Sequence, residues 1–162
     1  IPSTVVLLGD YDVAKNLASV PHPFTRAHAE EFLKKSTESR ASGTAYRFSI
    51  VRKAGAIHVG SIGLALKDGQ FELGYWLGRP YWGQGYATEA AKRVVGFAFH
   101  DLKATSVWAG RFHDNPASGR VLAKLGAVPN GVEPRDCMAR GHAVYCNLVL
   151  LHRENFGRKK AA

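Results

Sequence analysis

The sequence predicts one mixed α+β domain: a central, mostly antiparallel sheet with one parallel pair, flanked by helices. Three observations predict it. Alternating apolar runs between residues 45 and 77 read as an antiparallel meander. A glycine-rich turn and an amphipathic helix then separate the meander from a further strand, which makes a parallel crossover. A β-hairpin closes the chain.

The elements follow in order. Thr4-Val5-Val6-Leu7-Leu8 suits a strand or the end of a helix, and Gly9-Asp10 stops it. Pro21 and Pro23 bracket an extended turn. Thr25 caps a helix to about Arg40, with Ala29, Phe32 and Leu33 on its inner face. Tyr46, Phe48 and Ile50 alternate in the first run, and Ile62, Leu64 and Leu66 share a face in the second. Lys67-Asp68-Gly69-Gln70 is a hairpin turn. Phe71, Leu73, Tyr75 and Leu77 then alternate with Glu72, Gly74 and Trp76.

Ala87, Ala90, Ala91, Val94, Val95, Ala98 and Leu102 form one helical face. Ala104 to Phe112 reads as a strand. Asn115 caps a short helix with Pro116 in its first turn, Val121, Leu122 and Leu125 inward, and Gly126 at its end. The second strand of the last hairpin runs roughly from His142 to Leu151.

The 162 residues fit a single domain, 1–162, and 46% hydrophobic with 22% charged residues exclude disorder over most of its length. Lys and Arg number 22 against 13 Asp and Glu, a net charge of +9, which favours an anionic partner. Nucleic acid, a membrane surface and a phosphorylated cofactor all qualify. The dense run Arg158-Lys159-Lys160 is expected to be a frayed tail over 156–162. Cys137 and Cys146 form no CxxC pair and are expected to be reduced and packed. The seven histidines lack zinc-site spacing, so no metal is expected. No apolar run is long enough to cross a bilayer and no signal pattern opens the chain, so cytoplasm is the default. The start at Ile1 rather than Met suggests missing N-terminal sequence.

Gly83-Gln84-Gly85 lies between a strand and a helix, where main-chain N–H groups and a helix N-terminus converge on an anion. The third glycine of a dinucleotide fingerprint should fall at Thr88, so that alternative fails, and no GxxxxGK[ST] loop is present.

Phe71-Glu72-Leu73-Gly74-Tyr75-Trp76-Leu77, followed by Tyr81-Trp82-Gly83-Gln84-Gly85-Tyr86-Ala87-Thr88-Glu89-Ala90, resembles the acetyl-CoA motif of the GNAT superfamily of N-acetyltransferases. The branch it is most similar to contains the ribosomal-protein alanine N-acetyltransferases (RimJ/RimL-like). Asn115 to Gly126 resembles that branch's "N-x-x-S-x-x-x-x-x-K-x-G" helix, and the segments Val20 to Thr25 and Gly60 to Gly63 also fit. Pro80 stands where the family's pattern has Arg or Gln, leaving Arg79 as a substitute charge. The family's first strand is absent from the residues given.

The resemblance implies direct acetyl transfer from acetyl-CoA to an amine-bearing acceptor, a small molecule or a protein N-terminus. It places the cosubstrate on Tyr75, Trp76, Leu77, Arg79, Trp82, Gly83, Gln84, Gly85, Tyr86, Ala87, Thr88, Asn115 and Ser118. A main-chain N–H of Tyr75, Trp76 or Leu77 would bind the acetyl oxygen, with a bulge at Gly74. Glu72 is the candidate base, because its alternation turns it away from Phe71 and Leu73. Ser118 is the candidate acid for the leaving thiolate. Asn115 would contact the pantetheine arm besides capping its helix.

Trp76, Tyr81, Trp82 and Tyr86 suit cleft walls or core. Acceptor-facing residues are expected in the Pro21–Arg40 and Val132–His142 segments, with His22, Glu133, Arg135, Asp136 and Cys137 as unranked candidates. A CoA-binding module without transferase activity has the same cofactor half. A nucleic-acid binder is the weakest alternative, since no basic stripe with interleaved aromatics is present. A homodimer remains open.

Overall fold

The computed structural model describes residues 1–157. The opening run is helical: α1 (Pro2–Gly9) is followed by α2 (Tyr11–Ala14), whose cap Asp10 accepts the Asp12 N–H at 2.9 Å. Thr25 caps α3 (Arg26–Ala41) by accepting the His28 N–H, and the His28 ring returns a bond to the Thr25 N–H. Ala29 is the buried residue of α3. Phe32 and Leu33, expected to face inward, are 42% and 54% exposed. The reason lies beneath them, where α3 overhangs an open cleft lined by Phe32.

A six-stranded sheet forms the middle layer, in the order β1-β2-β3-β4-β6-β5. Its strands are β1 (Ala45–Arg52), β2 (Ile57–Lys67), β3 (Gln70–Leu77), β4 (Ser106–Phe112), β5 (Val128–Cys137) and β6 (His142–His152). Asp68 (φ 50°) and Gly69 (φ 79°) make the tight turn from β2 to β3. The pair β3–β4 is parallel and the others are antiparallel. Helix α4 (Tyr86–His100) makes the crossover between them, and α5 (Pro116–Lys124) follows β4. The fold is the mixed α/β architecture that the sequence predicts.

One sheet face carries the main core. Ala91, Val94, Val95, Ala98 and Phe99 of α4 and Leu122 of α5 pack there on Ile62, Leu64, Leu73 and Val107. The other face carries two smaller clusters, Leu8, Val13, Phe24 and Ala29 near α1–α3, and Phe112, Cys137, Val144 and Cys146 near β5–β6. Both cysteines are free and buried, as expected. Phe156 packs on Phe99 with ring centroids 5.4 Å apart. Of the tail expected over 156–162, Phe156 is thus in contact with the core, and 158–162 lie outside the described residues.

The feature that positions the site is a parting of strands. Parallel pairing of β3 with β4 covers Phe71–Leu73 against Val107–Ala109 and goes no further. The β2–β3 register meanwhile runs unbroken from Gly60↔Leu77 to Lys67↔Gln70, so Gly74 makes no bulge. The expected distortion is instead a divergence of β3 from β4. The far end of β3 is held on the β2 side: Gly78 N–H donates to Val59 O at 2.9 Å, and Leu7 fills the space where a Gly78 Cβ would stand, 2.5 Å away.

Gly60 is required for this arrangement, since a Cβ there would lie 2.1 Å from the Trp76 carbonyl oxygen. Main chain cannot yield as a flexible side chain can. Gly60→Ala is therefore expected to cost about 3 kcal/mol and lower the Tm by about 5–10 °C. A thermal melt checks this, and an unchanged Tm would contradict the packing at Trp76.

Candidate active site

The glycine-rich turn lies just beyond β3, joined to it by a short 3-10 turn at Arg79–Tyr81. The Trp82 indole N–H donates to Leu77 O at 2.8 Å, and Gln84 Nε2 donates to Pro80 O at 3.0 Å, which folds the loop on itself. Gly83 (φ 72°) and Gly85 (φ 83°) adopt the left-handed conformation that favours glycine, and neither would bring a Cβ within 4 Å of another group. Gly85 caps α4 without a side chain, and the first helical bond runs from Glu89 N to Gly85 O. The N–H groups of Gly83, Gln84, Gly85, Tyr86, Ala87 and Thr88 carry no protein hydrogen bond among the described residues. Six unpaired main-chain donors thus lie at the positive end of a 15-residue helix, a setting that complements a diphosphate.

The loop opens onto a cleft of about 1290 Å³ that runs between the parted ends of β3 and β4. Tyr75, Trp76, Leu77, Trp82, Gly83, Ala87, Asn115 and Ser118 line it, and so does Glu72. Gly78 N–H turns to β2. Strand alternation then sends Trp76 N–H the same way and points the N–H groups of Tyr75 and Leu77 into the gap.

Ser118 is placed by two bonds. Its N–H donates to Asn115 Oδ1 at 3.3 Å, and its hydroxyl lies 2.7 Å from the Tyr75 hydroxyl, across 43 residues of sequence. Burial pushes the Tyr75 phenol above its ordinary value, outweighing the bond to Ser118 and the charge of Arg111. Tyr75 is therefore neutral at physiological pH, and either hydroxyl of the pair can donate. Arg111 steadies the β4–α5 junction, reaching the carbonyls of Phe112, His113 and Asn115 at 3.4–3.5 Å. Gly119 makes room for it, since a Cβ there would meet the guanidinium at 2.7 Å.

Glu72 faces the cleft as its alternation predicts, but it is not free. Arg135 of β5 donates to its Oε1 at 2.7 Å and to Glu133 at 3.3 Å. The guanidinium stacks over Trp108, 5.4 Å from the ring centroid, and the space beside Gly110 is taken by the Cys146 thiol, which a Cβ there would meet at 2.7 Å.

Comparison with known proteins decides the family. The family model described as "Acetyltransferase (GNAT) domain" matches residues 1–128. This chain belongs to the GNAT acetyltransferases. The uncharacterized N-acetyltransferase p20 of Bacillus licheniformis is 30% identical over 140 residues, covering 83% of this chain and 79% of that protein.

Two solved structures show the same fold. Ribosomal-protein-S5-alanine acetyltransferase of Vibrio fischeri superposes with a TM-score of 0.77 at 20% identity, covering 96% of this chain and 91% of that one. RimJ of Mycobacterium smegmatis, solved with CoA-disulfide, gives 0.80 at 18% identity, covering 97% and 78%. Membership makes the protein an acyltransferase with acetyl-CoA as donor. The six free amides and two unobstructed glycines fit that donor's diphosphate, and no group of metal-binding side chains is found among the described residues.

Not every expected GNAT site residue reaches the cleft. Arg79 is committed to Asp10 at 2.8 Å and Asp12 at 3.4 Å, so its charge belongs to the α1–α2 junction rather than to the loop. Gln84, Gly85, Tyr86 and Thr88 do not line the cavity; Gln84 and Gly85 are exposed on the loop, and Tyr86 packs against the main core. Trp76 packs against the Leu8 cluster while also lining the cleft.

Of the acceptor candidates, Arg135 lines the cleft. His22, Glu133 and Asp136 do not, and Cys137 is buried with its thiol donating to Lys15 O and Leu17 O. Sequence reasoning missed the Tyr75 phenol and Arg111. The paired spacing of Arg111 and Gly119 gives no sequence signal, because the two meet only after β4 and α5 fold together.

Proposed function

We propose that this enzyme is an N-acetyltransferase of the RimJ/RimL-like branch that acetylates a primary amine, an α-amine at the end of a peptide or protein, by direct attack in a ternary complex. The observation that carries this is the ring of unpaired amides from Gly83 to Thr88 beside the parted strands. These amides suit a diphosphate, and the loop meets the polar cleft at Gly83 and Ala87.

Acetyl-CoA, when bound, supplies an acyl group activated as a thioester. The protein's part is positional. The loop amides would hold the diphosphate, and Asn115 would meet the pantetheine arm with whatever capacity its cap to Ser118 leaves. The N–H groups of Tyr75 and Leu77 face the place where negative charge on the acyl oxygen would collect. Ser118 would donate a proton to the departing sulfur. With the Tyr75 hydroxyl donating to Ser118 Oγ, the serine's own proton is left to turn into the cleft.

The attacking amine must be neutral. An α-amine, with a reference pKa of about 7.7–8.0, is partly so at neutral pH, whereas a lysine at about 10.4 is almost wholly protonated. Glu72 can receive the proton through the oxygen that Arg135 does not hold. Glu72→Gln is expected to lower kcat about tenfold at pH 7, with acetyl-CoA affinity retained. The deficit should shrink as pH rises and the amine deprotonates unaided. A pH–rate profile identical to the parent's removes Glu72 from this role.

Thiol release from acetyl-CoA over a panel of amines tests the function itself. Turnover with a peptide α-amine is expected. Background release with every amine, despite acetyl-CoA binding, would leave only a CoA-binding module.

A further inference from the structure

The cleft continues past the reaction gap to the β1 edge of the sheet, where Glu31, Phe32 and Lys35 of α3 and Arg47 of β1 line it. Its charges are unevenly matched. Each lining carboxylate is already paired: Asp12 with Lys15 and Glu31 with Lys35, both at 2.6 Å, and Glu72 with Arg135 and Asp114 with Arg140, both at 2.7 Å. Two lining guanidinium groups, Arg47 and Arg111, have no carboxylate in ion-pair range among the described residues. Arg111 is accounted for by the carbonyls of the β4–α5 junction.

Arg47 has no such account. Its recorded polar partner is the Ser39 hydroxyl at 3.0 Å, and its guanidinium stacks over the Phe32 ring, 5.1 Å from the centroid. Burial lowers its pKa, the mark of a cation that has lost part of its water without gaining an anion. A guanidinium is a planar fork of donors, which matches a carboxylate in two-point geometry.

Its place in the register matters as much as its charge. Arg47 pairs with Gly63, and Gly63 pairs with Gly74. The Arg47 stem leans over Gly63, where a Cβ would stand 3.1 Å from its Cγ, and the space above Gly74 is open. Gly74 is the first residue of β3 past the last β3–β4 pair, at the edge of the reaction gap. Two strand spacings, about 10 Å, separate the Arg47 main chain from that edge, which sets the upper limit on the reach from the gap to its side chain. An extended tripeptide spans the same distance, about 10 Å from its amine to its terminal carboxylate.

We propose that Arg47 is an acceptor subsite that binds a carboxylate of the substrate. The acceptor is then an amine bearing a carboxylate within about 10 Å, in a short peptide or an acidic N-terminal segment, and not a polyamine. A polyamine would need unpaired carboxylates, and those lining the cleft are all engaged. The proposal rests on the amine-acetyltransferase function above.

The test is steady-state acetylation of four acceptors: Ala-Ala-Ala with a free C-terminus, its C-terminal amide, Ala-Ala-Glu amide, and spermidine. The parent enzyme is expected to favour a carboxylate-bearing peptide over the tripeptide amide by about tenfold or more in kcat/KM, with spermidine the poorest. Preference for the free C-terminus alone identifies a chain end as the source of the carboxylate, and preference for the glutamyl peptide identifies a side chain. Arg47→Gln should erase the ratio while leaving kcat/KM for the tripeptide amide and the KM for acetyl-CoA within about twofold, whereas Arg47→Lys keeps part of it. A parent ratio near one, a preference for spermidine, or a ratio that survives Arg47→Gln overturns the proposal. Silence with all four acceptors, acetyl-CoA binding being intact, overturns the peptide α-amine acetylation proposed above and the subsite with it.

Discussion

Replacing Gly85 by Asp is expected to leave a folded protein whose affinity for acetyl-CoA has fallen by about a hundredfold or more. Gly85 is exposed, and a Cβ there meets nothing within 4 Å. The left-handed backbone (φ 83°) costs a side chain about 1 kcal/mol, and Asp tolerates it better than most residues. The fold should therefore survive. What changes is charge, because a carboxylate joins the rim of the unpaired amides and faces the diphosphate they are arranged to receive. Gly85→Asn carries the same backbone penalty and nearly the same shape without the charge, so its loss should be about tenfold or less. Calorimetric titration of both variants separates the two causes. Equal losses in Asp and Asn variants would mean that shape rather than anion binding governs the loop.

Ser118→Ala is expected to lower kcat by about 10²–10³-fold with little change in the KM for acetyl-CoA. The hydroxyl lies in the gap, its own N–H is already bonded to Asn115, and its removal leaves the α5 cap intact. Tyr75→Phe should lower kcat by about tenfold, since Ser118 keeps its proton but loses the hydroxyl that orients it. In the Ser118→Ala background, Tyr75→Phe should then add almost nothing, because the two hydroxyls act as one unit. Burial holds the Tyr75 phenol above its ordinary value, so the parent's rate should show no phenol titration through the neutral range and up to the usual tyrosine value. Single-turnover measurements on the two single variants and the double variant check this. Additive losses would sever Tyr75 from Ser118.

The elements that were legible in the sequence are those whose signals are local. Thr25 and Asn115 announce caps because their side chains bond main chain within three residues. Asp68-Gly69 announces a turn because positive φ is a property of the residues themselves. The glycine loop belongs with these, since the absence of side chains at Gly83 and Gly85 is what frees the amides. Phe32 and Leu33 misled because helical periodicity shows which residues share a face and not whether that face is covered. Gly74 misled in a related way. A mid-strand glycine marks irregularity, but the irregularity lies in the missing partner strand rather than in the β2–β3 ladder.

The catalytic surroundings were the least legible part. Glu72 could be placed on the cleft face by alternation, yet its engagement with Arg135 joins residues 63 apart in sequence. The contact between Tyr75 and Ser118 depends on β3 leaning from β4 just where α5 begins, and no pattern in either segment encodes it. Arg47 reads in sequence as an outward strand residue; only the pairing of the cleft's carboxylates with other partners distinguishes it.

Titrating CoA into ¹⁵N-labelled protein and following the main-chain amides of Gly83 through Thr88 tests the core claim most directly. Large downfield proton shifts at those amides, saturating with the calorimetric affinity, are the predicted result. Saturable binding that leaves these six resonances unmoved would contradict the assignment of the loop as the diphosphate site.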